Sequence, residues 1–286
     1  MITIGVQAMM LKELIAEDGV FTTLQKLRSI GYRSIEVSQI PMTSLTVAEL
    51  ARSIDELDIK VTAVSCLLSA PEGSPFDSLA GDFDKIVADA KSLDAKHVRI
   101  GILTYEALSS LEALHDFCAT IEGYGARLAE QGLTLSYHNH HVDFMRFGSD
   151  YVLDIISERC PSVSLELDVH WVHRGGLDPV RTLAHYADRV SLVHLKDYRI
   201  GRVPAEAFDR YRAGEATAVH DTFKDLVQFA EIGEGSLDFP AIIAEAERIG
   251  VKHAFVEQDQ RYGRTPLEAL TTSYENLTSL GFANRF

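Results

Sequence analysis

Carboxylates and imidazoles recur where short apolar runs of this chain end. Asp168 follows SLEL, His194 follows VSLV, Glu257 follows HAFV, and His138 and His140 close LTLSYHNH. Asp168, His194 and Glu257 together offer oxygen and nitrogen donors, a mixture that suits Mn²⁺, Co²⁺, Zn²⁺ or Mg²⁺ better than thiophilic metals. A fourth donor is expected from the YHNH segment. His138 and His140 have the same strand parity, which leaves the choice between them open; we take His138 as ligand and His140 as a substrate contact. Asp143, in the loop that follows, is placed to hydrogen-bond either ring. A lone histidine at a strand end is more often a hydrogen-bonded rim residue than a ligand. The argument rests on four successive strand ends carrying such groups.

Residues so far apart in sequence meet only if the ends of their segments converge. Eight β-like runs are visible: ITIGVQ from Ile2, SIEVS from Ser34, VTAVSC from Val61, HVRIGIL from His97, LTLSYHNH from Leu133, SLELDVH from Ser164, VSLVHLKD from Val190 and HAFVEQD from His253. Helical signals lie between them. Phe21, Leu24, Leu27 and Ile30 recur at helical spacing before Gly31, and Thr46-x-x-Glu49 reads as a capping box. Asp178-Pro179, Asp238 with Pro240, and Thr265-Pro266-x-Glu268 each read as a helix start. Alternation of this kind predicts an α/β fold, a single (β/α)₈ TIM barrel, with residues 1–286 as one domain. The connection at about 198–237 is longer than such loops usually are, which marks it either as a lid or as an insertion without a role, and a short helix is expected near Pro204–Arg212.

Strand parity sharpens the expectation. Val98, Ile100 and Ile102 oppose His97, Arg99 and Gly101; Leu165, Leu167 and Val169 oppose Glu166, Asp168 and His170; Val193 and Leu195 oppose His194 and Lys196. The apolar set must face the helices, so the polar set points into the barrel. Unpaired charges there cost several kcal/mol each on rough estimates, so the interior reads as a site. Glu166 is read as a buried acid paired with Arg99 or Lys196. Arg99, Lys196 and Trp171 are candidate substrate contacts: Lys196 for an oxyanion, Trp171 for the face of a sugar ring, with an ion pair and core packing as their plainer roles.

Bulk properties exclude several functions. The net charge of −15 opposes binding to nucleic acid or an anionic membrane. No apolar run reaches the roughly 18–20 residues that span a bilayer, and MITIGVQAMM does not read as a signal peptide. Cys66, Cys118 and Cys160 are odd in number and scattered, as expected of reduced thiols in a cytoplasm. Neither a phosphate-binding glycine loop nor a G-x-S-x-G elbow is present.

The stretches Tyr137-His138-Asn139-His140 with Asp143-Phe144, Leu165 to Asp168 with Trp171 and Gly175-Gly176-x-Asp178-Pro179, Val193 to Asp197, Gly233-Glu234-Gly235-x-Leu237-Asp238-Phe239-Pro240, and Val256-Glu257-Gln258 together make a pattern. It resembles the xylose-isomerase-like barrels, described as sugar phosphate isomerases/epimerases and including ketose 3-epimerases and inosose dehydratases. The resemblance covers nearly the whole chain. It implies one divalent metal, with Asp168, His194 and Glu257 at the family's ligand positions. In the ketose epimerases the fifth-strand ligand is a glutamate; here His138 stands there, a departure that favours elimination or hydration over a two-carboxylate proton shuttle.

The expected activity is that of a metal-dependent sugar isomerase or epimerase, with Mn²⁺ first among the metals. Glu257, His138 and His140 are the catalytic candidates, and a keto-sugar or cyclitol is the small-molecule partner. The alternative is a dehydratase or hydratase of a keto-sugar or inosose. A non-catalytic or partner-dependent metal-binding subunit is a third reading. An endonuclease IV-type role, which the same fold also hosts, conflicts with the acidic charge. Family members often pair, so a homo-oligomer is one expectation the resemblance carries.

Overall fold

In the computed structural model, which describes residues 1–286, the apolar runs become eight parallel strands that close on themselves. They are β1 (Thr3–Gln7), β2 (Ser34–Val37), β3 (Lys60–Cys66), β4 (His97–Ile100), β5 (Thr134–His138), β6 (Val163–Asp168), β7 (Val190–Leu195) and β8 (His253–Val256). Closure comes from β1, which pairs Thr3 with His253 on one side and Val6 with Ile35 on the other. Helices lie between the strands, giving the (β/α)₈ barrel. No helix is long and apolar enough to cross a membrane.

Several strands stop earlier than their apolar runs. HVRIGIL leaves the sheet after Ile100, and Ile102, expected to face the helices, is instead 44% exposed at the rim. Asp168 ends β6, and Val169 begins a helix, Val169–Arg174, so it is not a strand residue. Helix starts follow the sequence signals at Asp178, Asp238 and Thr265, whose side chains each accept a hydrogen bond from a first-turn N–H. The box expected at Thr46-x-x-Glu49 does not form. Thr43 caps that helix, Ser44–Leu57, while Glu49 reaches across to accept from Val20 and Phe21 at the start of the helix Val20–Ile30. That helix begins at Gly19, which has no side chain with which to cap it.

Alternation divides the side chains as expected. Ile4, Ile35, Val98, Leu165 and Val193 join one large buried cluster with the helices. Inside the barrel the apolar content shrinks to a separate group of three, Ala63, Leu192 and Phe255. Towards the N-terminal ends of the strands lies a chain of polar contacts. His97 Nδ1 meets Ser136 Oγ at 3.0 Å, Ser136 meets Ser164 at 2.9 Å, and Ser164 meets Ser191 at 2.7 Å. Towards the C-terminal ends the inward residues are Glu36, Arg99, His138, Glu166, Asp168, His194, Lys196 and Glu257, all buried.

The long stretch after β7 folds back on the barrel. Asp197–Ile200 pairs antiparallel with Val227–Ala230, and Ala205–Arg212 is the expected short helix. Asp197 anchors this ribbon. Its carboxylate accepts from the N–H groups of Tyr198, Gly233, Gly235, Ser236 and Leu237 at 2.8–3.2 Å. A Cβ at Gly235 would fall 2.2 Å from Asp197 Oδ1, so the approach requires glycine there.

Replacing Asp197 with alanine leaves these loop donors without their acceptor. Chemical denaturation should show a loss of about 2–4 kcal/mol, since each orphaned buried donor costs roughly 1–3 kcal/mol and the loop relaxes in part; a loss within experimental error would refute this anchoring. Burial also holds His97 down at about 4. The folded protein therefore keeps this ring neutral while the unfolded chain protonates it below about 6.5. Stability is lost as pH falls from about 6.5 to 4, by up to ~1.4 kcal/mol per pH unit from this one group. His97→Gln should show a shallower fall than wild type over that window in pH-dependent urea melts.

Candidate metal centre

Each proposed donor sits where a strand meets the barrel mouth. His138 is the last residue of β5 and Asp168 the last of β6. His194 is the next-to-last residue of β7, and Glu257 follows β8 with its N–H bonded to Leu195 O. Donor atoms of His138, Asp168, His194 and Glu257 all lie within 4.8 Å of one another, and the four residues are buried. Sequence left His138 and His140 tied; only His138 belongs to this group.

The strand ends also fix which atoms point inward. Asp168 caps the helix Val169–Arg174, so its Oδ1 accepts from the N–H groups of His170 (2.8 Å) and Trp171 (3.1 Å). Its N–H is held by Asn139 Oδ1 at 2.8 Å. Oδ2 accepts no hydrogen bond but ion-pairs with Lys196 Nζ at 3.2 Å, and lies 3.9 Å from His138 Nε2 and 4.0 Å from His194 Nδ1. His194 Nδ1 also contacts Glu257 Oε2.

Both imidazoles turn their other nitrogen onto a deeper pair of acids. His194 Nε2 is 3.2 Å from Glu36 and 3.2 Å from Glu166, and His138 Nδ1 is 3.4 Å from Glu166. Arg99 supports that pair, with Nε donating to Glu166 at 2.9 Å and lying 3.7 Å from Glu36. A carboxylate behind a metal-facing imidazole fixes its orientation and raises its basicity. Glu166 thus pairs with Arg99 as read from the sequence and not with Lys196.

The electrostatics follow from burial and these contacts. Burial and neighbouring Glu166 push Glu36 up to about 8, so Glu36 holds a proton at neutral pH. Burial also raises Glu166, but the nearby His194 and His138 imidazoles outweigh it, and Glu166 stays ionised. Burial, with help from Arg99 and His194, keeps His138 neutral, the form that can ligate. Glu257 is ionised because Lys196 and His194 overcome the effect of burial. The residues fit a divalent cation. Two buried carboxylates and two ring nitrogens converge, and a bound 2+ ion would share with Lys196 the balancing of Asp168 and Glu257, displacing the proton that the surrounding acids favour on His194.

The other expected site residues sit around this group. Lys196, 1% exposed, lies 3.2 Å from Asp168, 3.3 Å from Glu257 and 3.0 Å from Asp259, with Nζ 5.1 Å from the centre of the Trp171 ring. His140 packs edge-on against His138 and beside Trp171, and its Nδ1 has no partner. Asp143 bonds neither imidazole. It is fully buried, accepting from Tyr137 Oη at 2.9 Å and from the His140 N–H at 2.6 Å, so it shapes the turn behind His140 and has no oxygen free for a substrate. A cavity of about 380 Å³ opens above, with Arg99, His138, His140 and Glu257 in its lining. Phe229 from the ribbon stacks on His170 at 4.8 Å.

Sequence reasoning did not single out Glu36, Asp259 or Asp197. Parity carried a signal for the first two: Glu36 is the inward acid of β2, and Asp259 lies two residues beyond Glu257. Asp197 carried none, because four of its five partners lie 36–40 residues away.

Solved structures share this architecture. A sugar phosphate isomerase/epimerase from Parabacteroides distasonis superposes with a TM-score of 0.71 at 19% identity, covering 98% of this chain and 95% of its own. The probable 3-DHS dehydratase AsbF of Bacillus anthracis gives 0.68 at 14% identity, over 97% of this chain and 99% of its own. The IOLI protein, whose structure has a zinc atom bound, gives 0.68 at 15% identity, over 99% of each chain. At such identities the likeness concerns the fold. No curated protein matches the sequence. Residues 24–278 match the family model described as xylose isomerase-like TIM barrel, and the chain belongs to that family.

Proposed function

We propose that this protein is a divalent-metal-dependent isomerase or epimerase of a keto-sugar or related polyol, working as one barrel domain over residues 1–286. The observation that carries the reading is the convergence of His138, Asp168, His194 and Glu257 within 4.8 Å beside a cavity sized for a small molecule. Mn²⁺ is the proposed metal, held by those four residues. The cation supplies Lewis acidity, lowering the pKa of a C–H next to a carbonyl.

The chain's own residues do the rest. Glu257 turns Oε2 towards His194 and Oε1 towards Lys196, so the two oxygens serve different partners. Glu257 is the proposed base that removes the substrate proton, leaving an enediolate. Lys196 sits where an oxyanion would gain from its charge. His140, neutral because burial holds it down at about 3, lines the cavity and is the proposed group that moves a proton at a substrate oxygen. Trp171 and Arg99 complete the proposed substrate contacts. Return of the proton to the neighbouring carbon isomerises; return to the opposite face epimerises.

A second reading, dehydration of a keto-sugar or inosose, draws support from His138. With an imidazole in place of a second carboxylate at the end of β5, the site lacks one of the two acids that a proton shuttle between faces would use, which favours elimination. The three cysteines are buried and unpaired, which supports a reducing cytoplasm as the compartment.

The test is a metal-supplemented panel of keto-sugars and cyclitols in D₂O followed by NMR. EDTA should abolish turnover and Mn²⁺ or Co²⁺ restore it; undiminished turnover in metal-free protein would refute the metal role. Deuterium at carbon with retained hydroxyls identifies isomerisation or epimerisation, and loss of water identifies the dehydratase. Turnover that appears only with an added partner protein would favour the subunit reading. Glu257→Gln should lower kcat by about 10²–10⁴-fold with a small change in Tm. Near-normal α-proton exchange in that variant would remove Glu257 as the base.

A further inference from the structure

We infer that the cavity floor carries a carboxylate subsite built from Arg99 and Ser65, and that the substrate is therefore a hydroxy- or keto-acid of the polyol class. This deepens the reading above and rests on it for the reaction, though not for the binding.

Arg99 makes its hydrogen bond through Nε, to Glu166 at 2.9 Å, and Nε is also its nearest atom to Glu36. The two terminal nitrogens are left without a protein acceptor, and the residue lines the cavity. The guanidinium is thus anchored along one edge and presents its outer fork to whatever enters. Ser65 lies directly beside Arg99 in the register between β3 and β4, lines the same cavity, and has a buried Oγ with no hydrogen-bond partner. Buried donors without partners are rare and point to an absent acceptor. Gly101, two residues past Arg99, keeps the approach open, for a Cβ there would stand 3.4 Å from Arg99 Nη1.

A planar, singly charged acceptor fits this arrangement. Two parallel N–H donors match a carboxylate, and the serine hydroxyl adds a third. A phosphate ester fits poorly. Glu166, Glu257 and Asp259 add negative charge around the floor, and Lys196 already contacts three carboxylates. Leu67, Phe76, Ile102 and Phe117 also line the cavity and suit the C–H face of a ring or chain.

The experiment compares matched ligands by calorimetry on Mn²⁺-loaded protein. Cyclic and open-chain hydroxy-acids such as quinate, glucuronate and gluconate are each paired with the corresponding amide, and glucose 6-phosphate serves as the phosphate probe. At least one acid should bind about tenfold or more tighter than its amide. Arg99→Met should erase that preference, and Ser65→Ala should weaken acid binding by about 3- to 10-fold while leaving Mn²⁺ affinity and the amide unchanged. Because Arg99→Met also disturbs Glu166, Ser65→Ala decides the matter if the arginine variant fails to fold. Equal binding of acid and amide, tighter binding of the phosphate, an acid preference that survives both substitutions, or no binding by any acid would overturn the subsite. Mn²⁺ binding without acid preference leaves the metal reading standing. Acid preference in a protein that does not bind Mn²⁺ leaves the subsite standing and removes the metal reading.

Discussion

Negative charge buried inside the barrel is the constraint from which the rest follows. Glu36, Glu166, Asp168 and Glu257 are each at most 4% exposed. Uncompensated, each would cost several kcal/mol on rough estimates. Protonation neutralises Glu36, Arg99 answers Glu166 at the lower level, and Lys196 answers Asp168 and Glu257 at the upper level. His194 stands between, with one nitrogen facing each pair. The apolar faces of the strands, packed on the helices, leave no other direction for these side chains. The same alternation that builds the outer core thus concentrates charge at the mouth.

How much of this was legible in the sequence depended on the range of the interaction. Donors at strand ends could be read because a period of two and a closed barrel determine their direction once the strands are found. His138 and His140 could not be ranked, since equal parity says nothing about where a strand stops. β5 stops at His138, and the difference between the two rings begins there. Asp143 misled because proximity in sequence suggested the imidazole of His140, whereas the turn brings its carboxylate to that residue's backbone. Glu49 misled in a similar way. A local capping pattern was present, but the uncapped helix beside it offered the better donors. Ile102 read as strand because rim residues that wall a cavity are as apolar as those that face a helix.

The comparison structures set the scale of what the fold itself specifies. Architecture is retained over nearly whole chains at 14–19% identity, so most positions are free to change while strand order and closure persist. Chemistry in such a family resides in the few residues at the mouth. Here an imidazole ends β5, a guanidinium lies on the floor, and an aromatic ribbon leans over His170 and Trp171.

Ala63, Leu192 and Phe255 lie between the serine-lined lower barrel and the charged layer above it. They act as a stopper of three greasy side chains in the bore. All three are fully buried, which leaves the cavity at the C-terminal ends of the strands as the open side of the site.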